Sequence, residues 1–574
     1  MKKTKIAMMA MTLAIPSIAM AQGPERVRYN QVGYLPQEEK YIVADHSDPR
    51  GRVAVTDENG KVVSKPMVLR IVTSPFGDKS RYVMNLGKIT KPGDYFITFG
   101  NNRAKFHVEK NAYRKVAKAA LKSFYLMRSA IDIKPQYAGA YARKGGHRDG
   151  IVYIHESAES SGRPAGSTIA SPFGWYDAGD YNKYVVNSAY SIGLMLNVYQ
   201  QIPDYFDKLN TNIPESENKT ADFLDEMMYN LKWLLTMQDP ADGGVYHKLT
   251  TPDFEGFIMP DQCKQKRYVV AKSVTAAYDF AAIMAQAARI FKGNKDYPDF
   301  TEKAEKAAVA AYEWARLHPD EYYDQDEMNK KYSPKINTGT YGDKDAKDEH
   351  FWAATELYFM TDNNNYLKEA NELMPSQFTN SSWGNVAELG LFEWIQGYED
   401  TNRNTAIEML KDYMQTALRF EENSCFQSPF GNTKEDFGWG CLGGNCCFPA
   451  IAMLYADKYI ERGKYRKYAL ENVDYLIGRN ATGYCYITGF GDKSPKHPHH
   501  RISEKDMIEA PFPGLLVGGP NPGQQDKGNN NLTYPSNVVD ESYVDCVDSY
   551  ASNEIAINWN AALVGLLCWI DAES

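Results

Sequence analysis

The chain has 574 residues and a formal net charge of −9 at pH 7, from 73 acidic and 64 basic side chains. This acidic balance, with no run of basic residues, argues against a nucleic acid or an anionic membrane as a partner. Aromatic residues make up 13% of the chain, 40 of them tyrosines, and beyond filling a core they could line a groove for sugars.

The first 21 residues have the pattern of a secretory signal peptide. Lys2, Lys3 and Lys5 precede an apolar run that ends in Ala19-Met20-Ala21, which forms an A-x-A cleavage site before Gln22. An N-terminal membrane helix is the alternative, which the shortness of the apolar run disfavours, and no other stretch is long and apolar enough to cross a bilayer. We therefore expect an exported monomer, periplasmic or secreted, that is not held in a membrane.

Residues 22–108 are predicted to form a small β-domain. Segments such as "RVAVTD" and "GDYFITFG" alternate apolar and polar residues, and turn sequences such as Glu58-Asn59-Gly60 separate them. Several short strands at this spacing indicate an antiparallel sandwich of immunoglobulin type.

Residues 109–574 are predicted to be helical. Helical periodicity begins with "AYRKVAKAALKSFYLMRSA" and recurs to the end of the chain, with long Gly- and Pro-containing loops between the helices. Periodicity alone supports a large all-α domain. The long loops between alternate helices suggest in addition a toroid of helical hairpins, with the loops gathered at one end to build a site.

The cysteines show no paired C-x-x-C spacing of a metal site. Export permits disulfides, yet a domain of this size does not need them, so we assign none and expect buried thiols.

Three loop segments carry candidate chemistry. The first, "SPFGWYDAGDYNKYVV" (171–186), contains Asp177 and Asp180 among aromatic rings. The second, "TGFGDKSPKHPHHRIS" (488–503), clusters histidines, and the third places Glu554 before a mostly apolar helix. Glycosidic hydrolysis needs one carboxylic acid and one carboxylate on opposite faces of the sugar. The residues alone leave metal binding open, because the histidine run suits zinc and Asp-x-x-Asp suits calcium.

The same segments resemble signatures of glycoside hydrolase family 9. Residues 543–561, "YVDCVDSYASNEIAINWNA", look like the family's glutamate signature, and 487–501 resemble its histidine signature. The first segment carries the family's Asp-Ala-Gly-Asp, and "NQVGYLP" (30–36) is similar to the immunoglobulin-like module that often precedes these catalytic domains. The resemblance covers essentially the whole chain after the signal peptide.

This resemblance implies an (α/α)6 barrel and inverting hydrolysis of β-1,4-linked glucans. Asp180 would be the general base for the nucleophilic water and Asp177 would help to orient that water. Glu554 would be the general acid, with its pKa raised so that it stays protonated. The other expected contacts are hydrogen bonds from His499 and Arg501 to sugar hydroxyls and stacking by Tyr550 and Trp439. For Trp439, ordinary loop packing is an equal alternative, and the rings around the two aspartates are expected to form the floor of the sugar site.

No cofactor is expected to be required. Relatives with this N-terminal module often bind a structural zinc through two cysteines and two histidines, and the matching positions here are Ser129, Gly146-His147 and Tyr176. Since His147 alone cannot hold a tetrahedral ion, we predict that this zinc site is absent. Structural calcium remains an alternative at an acidic stretch that better suits a solvated helix N-terminus; its residues are Glu215, Glu217, Asp222, Asp225 and Glu226.

Three functions are compatible with these residues. The first is an endo-acting β-1,4-glucanase on cellulose-like, mixed-linkage or xyloglucan chains. The second is an exo-acting β-glucosidase or glucosaminidase on short oligosaccharides, for which the loop 145–168 could block one end of the groove. The third is a non-catalytic glycan-binding protein, which the joint presence of Asp177, Asp180 and Glu554 disfavours, because binding alone needs no matched acid and base.

Overall fold

The computed structural model describes residues 27–45, 49–99 and 102–574. The signal peptide expected at residues 1–21 lies outside this range. In the described part of the chain, no helix combines the length and apolar character needed to span a membrane.

The N-terminal strands form two four-stranded antiparallel sheets packed face to face. Their orders are β1-β2-β6-β5 and β4-β3-β7-β8. Alternation places one face of each strand inward, as in β7, where Tyr95, Ile97 and Phe99 are buried between polar or half-exposed neighbours. The strands are β1 Val27–Arg28, β2 Tyr41–Asp45, β3 Val53–Asp57, β4 Val62–Ser64, β5 Met67–Thr73, β6 Ser80–Asn85, β7 Gly93–Phe99 and β8 Asn102–Val108.

Helices dominate the chain after residue 113. The helices are α1 Arg114–Met127, α2 Pro135–Ala138, α3 Val185–Gln201, α4 Pro203–Phe206, α5 Asp222–Thr236, α6 Val274–Ile290, α7 Phe300–Leu317, α8 Gln325–Lys331, α9 Lys347–Thr361, α10 Asn364–Leu373, α11 Ala387–Gln396, α12 Thr401–Ala417, α13 Phe448–Tyr459, α14 Arg466–Leu476, α15 Arg501–Lys505, α16 Tyr550–Asn553 and α17 Ile557–Ala572.

Two kinds of long helix alternate and build an (α/α)6 barrel. The inner helices α3, α6, α9, α11, α13 and α17 are largely buried, as in α6, where every residue from Val274 to Ala288 is buried. The outer helices α1, α5, α7, α10, α12 and α14 pack against them, and α7 shows the typical amphipathic pattern, with Phe300, Ala304, Ala308 and Ala311 on its buried face. The predicted order of a β-sandwich followed by an (α/α)6 barrel is confirmed.

A small sheet lies among the long loops of the barrel. Its order is β10-β9-β13-β12-β11, and β11 runs directly from the aspartate segment into α3. Its strands are β9 Val152–Ile154, β10 Thr168–Ile169, β11 Lys183–Tyr184, β12 Lys248–Thr250 and β13 Tyr268–Val269.

The β-sandwich is docked on the barrel through the "NQVGYLP" segment. The Asn30 side-chain amide donates to Asp474 Oδ1 at 2.7 Å and to the Tyr113 hydroxyl at 3.1 Å. The Gln31 backbone N–H donates to the Ile477 carbonyl at 3.0 Å. Tyr29 adds a hydrogen bond from its hydroxyl to Asp492 at 2.7 Å. The two domains therefore share a buried, hydrogen-bonded interface.

Candidate active site

Backbone hydrogen bonds join the three predicted segments directly. The Ile557 N–H donates to the Asp177 carbonyl at 2.9 Å, and the Arg501 N–H donates to the Gly179 carbonyl at 3.1 Å. The His499 N–H donates to the Asn553 carbonyl at 2.9 Å, so each of the three segments is bonded to the other two. These bonds bring Gly179 and Glu554, which are 375 positions apart, within hydrogen-bonding distance.

Asp177 and Asp180 are buried carboxylates with different partners. Asp177 accepts hydrogen bonds from Asn187 Nδ2 at 2.7 Å and from the Tyr341 hydroxyl at 2.6 Å. Asp180 accepts from its near neighbour Asn182, at 2.6 Å from the side-chain amide and at 3.2 Å from the backbone. Burial, and then the nearby Asp180 charge, raise the pKa of Asp177 to about 7.

Glu554 faces this pair from the end of α16. Its Oε1 atom accepts a hydrogen bond from the Gly179 N–H at 3.3 Å. Removal from water raises the pKa of Glu554 to about 8, the Asp180 charge adds to this shift, and the Arg501 charge opposes it. A carboxyl group with this pKa is protonated at neutral pH and can donate a proton.

His499 and Arg501 present fixed polar groups to the same space. The His499 Nδ1 atom lies 2.6 Å from the Val547 carbonyl, which can only accept, so Nδ1 carries the hydrogen. Burial lowers the pKa of His499 to about 4, which keeps the ring neutral and leaves Nε2 as an acceptor for a hydroxyl group. Arg501 donates to the Gly179 carbonyl at 2.8 Å and to the Glu255 carbonyl at 2.7 Å, so backbone oxygens hold its guanidinium in place.

Trp439 and Tyr550 form an exposed aromatic surface. Their ring centroids are 5.3 Å apart, and Trp439 is 51% exposed. An indole left this open beside polar groups is available for the apolar face of a sugar ring, and this exposure argues against the alternative of ordinary loop packing for Trp439.

All seven residues predicted from the sequence line one open cavity of about 780 Å³. The loop 145–168 contributes none of the described residues that line it. Sequence reasoning missed several wall residues because they are uncharged and come from separate loops and helices: Phe254, Thr340, Tyr341, Trp383, Asn558 and Trp559. Tyr341 lies in the Gly- and aromatic-containing segment "NTGTYGD" (337–343), whose composition was its only signal.

The expectation that the rings around the aspartates form the floor of the sugar site is largely wrong. Trp175, Tyr176 and Tyr181 are buried in the barrel core, and only Tyr184 lines the cavity. The Trp175 indole N–H donates instead to Glu226 at 2.8 Å. These three rings pack beneath the aspartate segment in the core and do not line the cavity.

The positions of the relatives' zinc ligands do not fit a tetrahedral Cys2His2 ion. The Ser129 hydroxyl donates to the Phe173 carbonyl at 2.9 Å, and the Tyr176 hydroxyl lies 3.0 Å from His147 Nδ1. A Cβ atom at Gly146 would lie 2.1 Å from the Pro260 carbonyl group, so a cysteine side chain has no room there.

The acidic stretch expected at a helix start is bound by protein donors. Arg128 forms ion pairs with Glu215 at 3.0 Å and Glu226 at 2.9 Å. Asp222 begins α5 and accepts from Thr211 and Ser216, while Asp225 accepts from Tyr297 and Asn218. The helix start is as expected. Asp222, Asp225 and Glu226 are buried rather than solvated, whereas Glu215 is half-buried and Glu217 is exposed. The eight cysteines all lie in the described part of the chain and form no disulfide.

Comparison with known families identifies the class of protein. The family model described as glycosyl hydrolase family 9 matches residues 113–567, and the model for a cellulase N-terminal Ig-like domain matches residues 22–104. The chain therefore belongs to glycoside hydrolase family 9.

Individual relatives narrow this assignment. The chain is 50% identical over 558 residues to a xyloglucan-specific endo-beta-1,4-glucanase, BoGH9A, of Bacteroides ovatus, covering 96% of this chain and 94% of that protein. It is 31% identical to endoglucanase D of Acetivibrio thermocellus, covering 95% and 83%. A solved structure of a Bacteroides ovatus GH9 protein superposes with a TM-score of 0.92 at 48% identity, covering 96% and 100%. The chain is a glycoside hydrolase of the endo-β-1,4-glucanase type.

Proposed function

We propose that this enzyme cleaves β-1,4-glucosidic bonds within xyloglucan by an inverting mechanism. Asp180 acts as the general base, Asp177 orients the water, and Glu554 acts as the general acid. The observation that carries the proposal is the convergence of these three carboxyl groups on one open cavity. Xyloglucan is chosen because the relative at 50% identity is described as specific for it.

The surroundings of the three carboxyl groups support different roles for them. Glu554 has a raised pKa and supplies a proton to the leaving oxygen. Asp180 is held by a hydrogen bond from the Asn182 side chain, and it removes a proton from the attacking water. Asp177, held by Asn187 and Tyr341, shares that water through its carboxylate.

The cavity walls support recognition of a sugar chain. Trp439 and Tyr550 stack on ring faces, and His499 and Arg501 bind hydroxyl groups. The open shape, with no lining residue from 145–168 among the described residues, favours attack within a chain over removal of a terminal sugar.

The proposal also covers the setting of the reaction. The enzyme is exported after removal of residues 1–21, acts as a monomer, and needs no cofactor for hydrolysis. The signal-like N-terminus supports export, and an acid and a base supplied by the chain itself support cofactor-free hydrolysis.

Kinetic measurements on xyloglucan test the proposed roles of Glu554 and Asp180. Glu554→Gln and Asp180→Asn are each expected to lower kcat by about 10²- to 10⁴-fold, because each removes an acid or base group. In Glu554→Gln the loss is expected to shrink on an aryl cellobioside with a good leaving group, which needs no protonation. Glu504→Gln, a change at a surface carboxylate next to Lys505, is the matched control.

Product analysis tests the stereochemistry and the mode of attack. Proton NMR at early times is expected to show the α-anomer, and chromatography is expected to show a mixture of oligosaccharides. An initial β-anomer would overturn the inverting mechanism, and a monosaccharide alone from the earliest time would favour the exo-acting alternative. Faster cleavage of unbranched or mixed-linkage glucan than of xyloglucan would overturn the substrate assignment.

A further inference from the structure

A second cluster of metal-ligating side chains lies behind the cavity wall. Ligand atoms of His147, Glu255 and Cys263 all lie within 4.8 Å of one another, and they form the one such group among the described residues. We propose that these three residues bind a borderline-soft divalent metal ion such as Zn²⁺. This site shares only His147 with the four-ligand zinc site of the relatives.

The histidine is arranged as a ligand. His147 Nδ1 lies 3.0 Å from the Tyr176 hydroxyl, and Nε2 is buried with no hydrogen-bond partner in the described part of the chain. An Nδ1–H that donates to Tyr176 leaves the Nε2 lone pair for a metal, and such an outer partner is the usual support of a metal-binding histidine.

The loop 252–264 explains how the other two ligands reach this point. Pro260 occupies the space that a side chain at position 146 would need, at 2.1 Å from the Cβ position of Gly146. The same loop is tied to its neighbours by the Tyr181 hydroxyl, which donates to the Ile258 carbonyl at 2.7 Å. The loop therefore fills the space that a ligand side chain at position 146 would need, and it brings Glu255 and Cys263 towards His147.

The chemical types of the three ligand groups indicate which class of metal ion would bind. One thiolate, one imidazole and one carboxylate suit zinc or cobalt, whereas calcium and magnesium prefer oxygen atoms alone. The thiolate and the carboxylate together match the charge of a divalent ion. Zinc ligands at 2.0–2.3 Å from the ion stand roughly 3.5 Å from one another, so the side chains need to approach by about 1 Å.

An ion bound at this site would influence the cavity by fixing the position of the loop 252–264. Arg501 donates to the Glu255 carbonyl at 2.7 Å, and Phe254 lines the cavity. The Phe257 ring packs against His499, with centroids 5.4 Å apart. Metal bound at Glu255 and Cys263 would therefore fix the loop that holds two of the proposed sugar-binding residues.

Cobalt binding to the tag-free, chelator-treated protein tests the proposal independently of hydrolysis. We expect one Co²⁺ per chain, a thiolate-to-cobalt charge-transfer band in the near ultraviolet, and a higher Tm with Co²⁺ or Zn²⁺. Cys263→Ser is expected to abolish the band, and His147→Gln and Glu255→Gln are expected to weaken binding by at least about tenfold.

Two control variants separate this site from other metal-binding groups. Cys546→Ser changes another half-buried thiol, and His497→Gln changes the exposed member of the histidine run. Both are expected to keep the band and the affinity. The proposal is overturned if Co²⁺ does not bind, if it binds without a thiolate band, if Cys263→Ser retains the band, or if a control variant loses it. Circular dichroism confirms that each variant is folded before titration.

Discussion

At the scale of single residues, the proposed chemistry depends on a carboxyl group that keeps its proton at neutral pH. Glu554 is half-buried at the cavity wall and lies near the Asp180 charge, and both its partial removal from water and that charge favour its neutral form. Arg501 favours the charged form and limits the shift. The proposed acid Glu554 and the proposed base Asp180 therefore influence each other, and a change at one is expected to be measurable at the other.

The expected pH dependence of kcat/KM follows from the raised pKa of Glu554. The proposed acid is active when protonated, so kcat/KM is expected to fall as pH rises through about 8 in the free enzyme. In Asp180→Asn the neighbouring charge is gone, and the pKa of Glu554 is expected to be lower than in the unaltered enzyme. Carbon-13 NMR titration of glutamate carboxyl groups measures this, with the Glu554 signal assigned by its loss in Glu554→Gln. A Glu554 pKa in the ordinary carboxyl range, or one that rises in Asp180→Asn, would contradict the account.

At this scale the residues that could be predicted are those in the long motifs of the family resemblance. These motifs indicated Asp177, Asp180, Glu554, His499 and Arg501, and all of them line one cavity; their residue types alone left metal binding open. Tyr341 could not be predicted, because its contact with Asp177 depends on where a loop 164 positions away is placed by the fold. The contact between Gly146 and Pro260 could not be predicted for the same reason, because it depends on where the fold places a distant loop.

At the scale of elements, the site depends on a tight link between two aspartates. Gly179 joins them, and the His499 backbone, the Glu554 carboxyl group and the Arg501 guanidinium all converge on it. A Cβ atom at this position would lie 2.1 Å from the His499 carbonyl oxygen, which is far inside van der Waals contact. The absence of a side chain at Gly179 is what lets the three segments approach.

Gly179→Ala is therefore expected to displace the His499 segment and to lower kcat on xyloglucan by about 10²-fold, as misplacement by about 1 Å does in other enzymes. Gly150→Ala, where the added Cβ meets nothing within 4 Å, is the matched control and is expected to retain activity. Activity near that of the unaltered enzyme in Gly179→Ala, with circular dichroism unchanged, would show that the close approach is not required.

The elements themselves were largely predictable. Alternation in residues 53–57 and 93–99 and the helical periodicity of α7 follow from burial of one face or stripe. The small sheet of two- and three-residue strands was not predicted, because such strands are too short to show a period and form only where distant loops meet.

At the scale of the whole molecule, Asn30 ties the β-sandwich to the barrel. Its amide group donates to Asp474 and Tyr113, and its Oδ1 atom accepts from the N–H groups of Val32 and Gly33. The Asn30 side chain itself is fully buried. The family resemblance of "NQVGYLP" indicated an attached module, but the depth of this contact could be seen only in the structure.

Asn30→Ala is expected to destabilise the protein as a whole. Buried groups left without a partner cost about 1–3 kcal/mol each, so the loss is expected to be about 3 kcal/mol or more. Asp474 Oδ1 loses its donor, while Oδ2 keeps its ion pair with Arg479. Urea unfolding followed by tryptophan fluorescence measures it, since the barrel holds the buried tryptophans. Asn59→Ala, in an exposed turn of the sandwich, is the control and is expected to change stability by less than about 0.5 kcal/mol. If Asn30→Ala left the barrel transition unchanged, the sandwich would be an independent appendage, and its interface would not stabilise the catalytic domain.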